Sequence, residues 1–164
     1  QFKEIVRLLR NAYEDVNLTT DIIVGFPGET DEEFNKTYQF LKEIKFYKMH
    51  VFKYSPRKGT KAAVMQNQIS GDIKEKRSRE LLELSNENEL EYNQKYTGNE
   101  VEVLFEEEKE KIYKGHTQNY ILVYCQTDKK IDNKIEKVIC KAAKEPKKRD
   151  FCPSASAFGQ SFPI

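Results

Sequence analysis

This 164-residue chain lacks an excess of either charge: 28 Lys and Arg stand against 27 Asp and Glu, a formal net of +1. The global basic surplus that usually marks a nucleic-acid binder is therefore missing. No apolar run approaches the roughly 18 residues of a membrane-spanning helix, which argues against a membrane partner. No secretory leader pattern is found, so the expected compartment is the cytoplasm. Cys125, Cys140 and Cys152 are widely spaced, form no C-x-x-C, and have no metal-ligand spacing with His50 and His116. They read as ordinary thiols in a reducing compartment, with no disulfide framework and no metal site. The chain opens with Gln1 inside a helical pattern and so reads as a piece of something longer.

Although 34% of the residues are charged, ten Phe and nine Tyr supply enough apolar volume for a core. Phe2, Ile5, Val6, Leu8, Leu9 and Ala12 repeat at helical spacing and predict a helix over 2–12. Leu18 to Val24 predicts a strand. Its DIIV end lacks polar alternation, which suits burial on both faces of a parallel sheet. Thr30 and Glu33 form a T-x-x-E capping box, followed by Phe34, Tyr38, Leu41 and Ile44 on one face, which predicts a helix over 31–44. A second strand is expected from about Tyr47 to Tyr54. A long charged helix follows from Asp72 to Tyr96, with Ile73, Leu81, Leu84 and Tyr92 on its apolar stripe. After Gly98 the pattern changes to short alternating runs, VEVLFEE, IYKGH, NYILVYCQ and KIEKVIC, which predict a small antiparallel β unit. The end, KAAKEPKKRDFCPSASAFGQSFPI, is basic and then aperiodic, and is expected to be poorly ordered.

Glycine and proline are scarce, with seven and five residues, yet GFPGET (25–30) holds two glycines and one proline. Gly25 and Gly28 allow positive φ and close approach of a ligand to the backbone. Pro27 stiffens the turn. The start of the next helix favours an anionic group. Such a turn can cradle a carboxylate, a phosphate or a ribose, or it can simply make a corner. The second strand ends in a comparable turn, YSPRKGT (54–60), where Arg57 offers a planar fork. In β/α folds, ligands sit at the carboxyl ends of strands, where both turns lie. His50 reads as a packed strand histidine, since no carboxylate or nucleophile partners it locally.

The stretches TTDIIVGFPGETDEEF (19–34), HVFKYSPRKGTKAAVM (50–65), KEKRSRELLELS (74–85) and GHTQNYILV (115–123) together resemble the radical-SAM methylthiotransferases that modify tRNA (the MiaB/MtaB/RimO family). The wording of 50–78 looks most like the MtaB branch. That branch converts N6-threonylcarbamoyladenosine at position 37, in the anticodon loop, to its 2-methylthio derivative. The MiaB branch, acting on isopentenyladenosine at the same position, is the alternative. The resemblance implies the C-terminal part of a radical-SAM partial (β/α) barrel over 1–69 and a connecting helix over 70–97. It further implies an incomplete TRAM-like antiparallel β-barrel over 98–140, with an atypical tail over 141–164.

The resemblance also implies S-adenosyl-L-methionine (SAM) as cofactor, bound by Gly25, Phe26, Pro27, Gly28, Glu29, Tyr54, Ser55 and Arg57. Contacts to tRNA are expected at Arg57 and Lys58 beside the active site, and at His116, Thr117, Asn119 and Tyr120, which can hydrogen-bond base edges and sugar or stack on an unpaired base. In GHTQNY the other reading is a polar hairpin turn with Tyr120 in the core. The family's [4Fe-4S] clusters generate a 5′-deoxyadenosyl radical that leads to sulfur insertion at adenine C2. Their C-x-x-x-C-x-x-C motif does not occur in this chain, so no metal ligand and no catalytic residue is carried over. A monomer is expected. Two further readings remain: a non-catalytic RNA-binding TRAM module, and a phosphate-binding β/α fragment unrelated to SAM.

Overall fold

The computed structural model describes residues 1–143; the expectations for the rest of the tail and for Cys152 lie outside the described residues. The elements are α1 (Phe2–Ala12), β1 (Thr19–Val24), α2 (Asp31–Ile44), β2 (Lys48–Lys53), a 3-10 turn (Lys61–Val64), α3 (Gly71–Gln94), β3 (Glu100–Lys109), β4 (Ile112–Thr117), β5 (Leu122–Gln126) and β6 (Lys134–Ile139). None of the helices among the described residues is long and apolar enough to cross a membrane. The chain divides into two compact units within α3, between Asn88 and Glu89.

In the first unit, β1 and β2 form a parallel pair with Val24 opposite Lys53 and Asp21 opposite His50. α2 starts as its sequence requires: Thr30 Oγ1 accepts the Glu33 amide, and Glu33 Oε2 accepts the Thr30 amide at 2.9 Å. It ends at Lys45 in the left-handed region, where Arg10 donates to the carbonyls of Ile44 and Lys45. That satisfies acceptors left open at a helix C-terminus. Val6, Val24, Phe34, Leu41, Ile44, Phe46, Met49, Leu81 and Leu84 make the core. α3 also supplies polar partners to the entry of β2. The Met49 amide donates to Ser85 Oγ, and Asn88 Nδ2 donates to the Phe46 carbonyl.

Two expectations for this sheet are corrected. Ile23 is 57% exposed and Phe52, opposite it, 54%. The DIIV strand is thus buried on one face only, because a two-stranded sheet covered by helices on one side leaves the other open. His50 is exposed on that same open face rather than packed, and the register sets it beside Asp21.

The second unit is an antiparallel sheet of order β5-β4-β3-β6. Val103, Phe105, Tyr113, Ile121, Val123, Cys125, Ile131 and Val138 form its core, with Tyr92, Tyr96 and Val101 packed against it. Among the described residues the incomplete barrel expected here is an open four-stranded sheet rather than a closed barrel. β5 and β6 are the two edges of the sheet and do not pair with each other, so the sheet is not closed on itself. A register shift between Phe105 and Glu107 bends β3 beside Gly115. A Cβ on Gly115 would lie 2.2 Å from the Leu104 carbonyl oxygen, so this strand position requires glycine.

Candidate functional site

Parallel pairing brings the two unusual turns to one edge. The Tyr54 amide donates to the Val24 carbonyl at 2.9 Å, so the chain leaves both strands side by side. Gly25 and Gly28 have φ of +72° and +88°, the left-handed backbone that their lack of a side chain permits. The turn is braced from inside: the Gly25 amide donates to Glu29 Oε2 at 2.7 Å and the Gly28 amide to the Asn67 carbonyl at 2.9 Å. Pro27 is buried and Phe26 is exposed, its ring edge-on to Tyr54 with centroids 5.2 Å apart.

The environments of the two glycines differ. Beside Gly25, the Lys74 side chain fills the space a Cβ would take, with Cγ 2.3 Å from it; over Gly28 nothing lies within 4 Å. The open side of the turn is therefore at Gly28. The Tyr54 hydroxyl is buried and finds no hydrogen-bond partner among the described residues. Ser55, Arg57 and Lys58 are exposed beyond it, in a loop held by Thr60, whose hydroxyl donates to the Arg57 carbonyl at 2.8 Å.

Sequence reasoning overlooked the residues that hold this edge from behind. Arg77, on α3, is buried; Nη1 pairs with Glu29 Oε2 and Nη2 with Asp31 Oδ1, each at 2.6 Å. Its guanidinium lies 5.3 Å from the Phe34 ring centroid. The hydrogen bond from Arg77 holds the Asp31 carboxyl below its ordinary range. Lys74 donates to the Tyr54 carbonyl at 3.0 Å and sits 5.4 Å from the Tyr54 ring centroid. The available signal was a cation on the buried stripe: Arg77 precedes Leu81 and Leu84 by four and seven residues, on the face that enters the core.

The expected RNA contacts in the second unit separate into two groups. Thr117 is buried; its hydroxyl donates to Asn119 Oδ1 at 2.6 Å and accepts the Ile121 amide at 2.9 Å. Asn119 Nδ2 donates to the Tyr96 hydroxyl at 2.8 Å. Both residues therefore shape the turn from inside. His116 and Tyr120 face outward together, ring centroids 5.8 Å apart, and His116 Nδ1 lies 2.6 Å from Glu106 Oε2. Tyr120 is 78% exposed, which removes the reading that places it in the core. Register carries the face across the whole sheet, as Leu122, His116, Leu104 and Ile135 stand opposite one another in turn. The residues Arg57 and Lys58 belong to the first unit.

Among the described residues no group of three or more His, Cys, Asp or Glu is arranged to hold a metal ion. Cys125 and Cys140 form no disulfide among the described residues, and burial pushes the Cys140 thiol up, away from the reactive thiolate. The described residues do not fit an iron–sulfur cluster. They do fit one end of a nucleoside cofactor: open space at Gly28, an exposed aromatic at Phe26, and an unspent hydroxyl at Tyr54.

No family model matches the chain. Among curated proteins, it is 40% identical over 142 residues to the threonylcarbamoyladenosine tRNA methylthiotransferase MtaB of Bacillus subtilis (strain 168), covering 84% of this chain and 32% of that protein. It is 49% identical over 104 residues to the tRNA-2-methylthio-N(6)-dimethylallyladenosine synthase of Tropheryma whipplei (strain Twist), covering 63% of this chain and 22% of that protein. The protein of the same name from Aquifex aeolicus (strain VF5) is 40% identical over 138 residues, 84% of this chain and 31% of the relative. The chain thus spans a third or less of the length of these relatives.

Proposed function

Because this chain belongs to the family of MtaB- and MiaB-type tRNA methylthiotransferases, we propose that it supplies two working parts of such an enzyme. The first unit is the late edge of a radical-SAM barrel, and the second is a TRAM-like unit that grips the anticodon loop of tRNA. The observation that carries the first part is the joining of the two turns at one sheet edge, with Gly28 open and the Tyr54 hydroxyl unpaired. SAM, when bound in the whole enzyme, supplies the radical precursor and the methyl group. Gly25, Phe26, Pro27, Gly28, Tyr54, Ser55 and Arg57 form its seat, and Glu29 keeps the seat in shape through Gly25. The cluster ligands are placed outside this chain, and the intact enzyme works as a cytoplasmic monomer.

The substrate proposed is N6-threonylcarbamoyladenosine at position 37, with isopentenyladenosine as the alternative. The test is calorimetric titration of the purified chain with S-adenosylhomocysteine, followed by turnover of the intact enzyme on tRNA carrying each nucleoside. Saturable binding that ATP and inorganic phosphate do not compete away is the expected result. Competition by phosphate would favour a plain phosphate turn instead.

The second reading is an RNA-binding module without chemistry. The paired outward rings of His116 and Tyr120 favour it, since unpaired bases stack on such side chains. RNA binding by the chain with no affinity for S-adenosylhomocysteine would select it.

A further inference from the structure

We propose that Arg77 is a positioning residue that presets the Gly25–Thr30 turn in its ligand-accepting shape; this rests on the reading of that turn as the SAM seat. Arg77 is 48 residues from Glu29 in sequence, yet Nη1 donates both to Glu29 Oε2 at 2.6 Å and to the Glu29 carbonyl at 3.1 Å. Nη2 takes Asp31 Oδ1 at 2.6 Å. One planar fork thus holds the last part of the turn and the first residue of α2, which a single ammonium does not match. The same Glu29 oxygen accepts the Gly25 amide. Arg77 is therefore two hydrogen bonds from the first residue of the turn, and both ends are tied to one group.

Lys74 acts beside it, three residues earlier on the same helical face. Its ammonium takes the Tyr54 carbonyl and its stem lies against Gly25. The start of α3 accordingly holds both strand tips at a set separation. A purely stabilising role fits less well. A buried ion pair is often no more stabilising than apolar side chains of similar volume. Arg77 Nε, moreover, stays buried with no partner among the described residues. What the charge adds is orientation of a turn that has two left-handed glycines and whose Glu29 oxygen is shared by Gly25 and Arg77.

The test uses the purified chain and the variants R77Q, R77K and D31N, read by amide hydrogen exchange, thermal midpoint and S-adenosylhomocysteine titration. R77Q is expected to speed exchange at residues 25–30 at least tenfold, leave β1 and β2 amides protected, and weaken the titrated affinity at least tenfold. R77K keeps the charge without the fork and falls between. D31N, which keeps an acceptor oxygen but removes the charge of the exposed arm, weakens affinity two- to threefold. Equal exchange and affinity in R77Q would overturn the proposal, and so would acceleration spread evenly over β1, β2 and the turn. If R77Q does not fold, R77K and D31N decide by the same criteria. If the unmodified chain binds no S-adenosylhomocysteine, the SAM reading fails separately, and selective or uniform exchange still supports or overturns the positioning role.

Discussion

The Gly25 amide reaches across its own turn to Glu29 Oε2 at 2.7 Å, and that oxygen also receives Arg77. A side chain proposed from sequence as a cofactor contact thus serves two internal donors in this structure. Replacing Glu29 by Ala removes a partner from a side chain that is 5% exposed. Breaking a largely buried ion pair of this kind costs about 3 kcal/mol, somewhat offset here because Arg77 retains Asp31. A fall of that size in urea-unfolding free energy is expected. A loss below a few tenths would show that the pair is solvated.

The acid limb of stability follows from the carboxyls at the start of α2. Asp31 is held below its ordinary range chiefly by the hydrogen bond from Arg77, and Glu33 chiefly by the Thr30 amide. A depressed carboxyl contributes stability that is fully present above its unfolded value, about 4, and lost as pH falls through the lower folded value. Unfolding free energy should therefore be flat from pH 7 to about 5 and decline below about 4. The D31N/E33Q double variant should be less stable at pH 7 and show a shallower acid decline. A parallel decline in both proteins would rule these carboxyls out.

The glycines rank by what surrounds them. Gly28→Ala meets only the cost of positive φ, about 1 to 2 kcal/mol; Gly28→Asn should recover much of it, since Asn tolerates that region. Gly28→Val is strained by backbone as well as bulk, so a loss of SAM binding in that variant must be separated from a loss of stability. Gly25→Ala adds a clash with Lys74, whose flexible stem can shift. Gly115→Ala meets backbone on β3 and should be the worst, about 3 kcal/mol or more. Thermal midpoints in the order Gly28, Gly25, Gly115 would agree; an unaffected Gly115→Ala would contradict the tight strand approach.

In the second unit the outward and inward residues predict different phenotypes. Tyr120→Ala should weaken binding of anticodon stem-loop RNA by about 1 to 3 kcal/mol, the worth of one stacked base, without lowering stability. Asn119→Ala should do the reverse, because it removes the bonds to Thr117 and Tyr96. Residues 99–140 carry seven Lys against nine acidic side chains, so the salt slope should be small. Fluorescence anisotropy at several salt concentrations measures both; a Tyr120→Ala chain that binds as before would remove the stacking role.

The purified chain is expected to leave SAM intact under reducing conditions, because the C-x-x-x-C-x-x-C motif is missing from its sequence. Formation of 5′-deoxyadenosine above the buffer level, followed by chromatography, would contradict this.

What the sequence determined by itself was local. The Thr30–Glu33 capping box spans three residues, so both partners stand in one short string, and α2 begins where they say. The glycine turn, the two strands around it and the alternating runs of the β unit were legible for the same reason. Tertiary structure decided which face of each element meets solvent and which distant group meets a turn. It placed Ile23, Phe52 and His50 in the open, set Asp21 beside His50, and turned Tyr120 out while Thr117 and Asn119 turned in. It also brought Arg77 to Glu29 across 48 residues. Pattern and propensity report on neighbours within a turn or two of chain; a partner supplied by another element depends on how strands register and how a helix lies on them, and that is set only when the core packs.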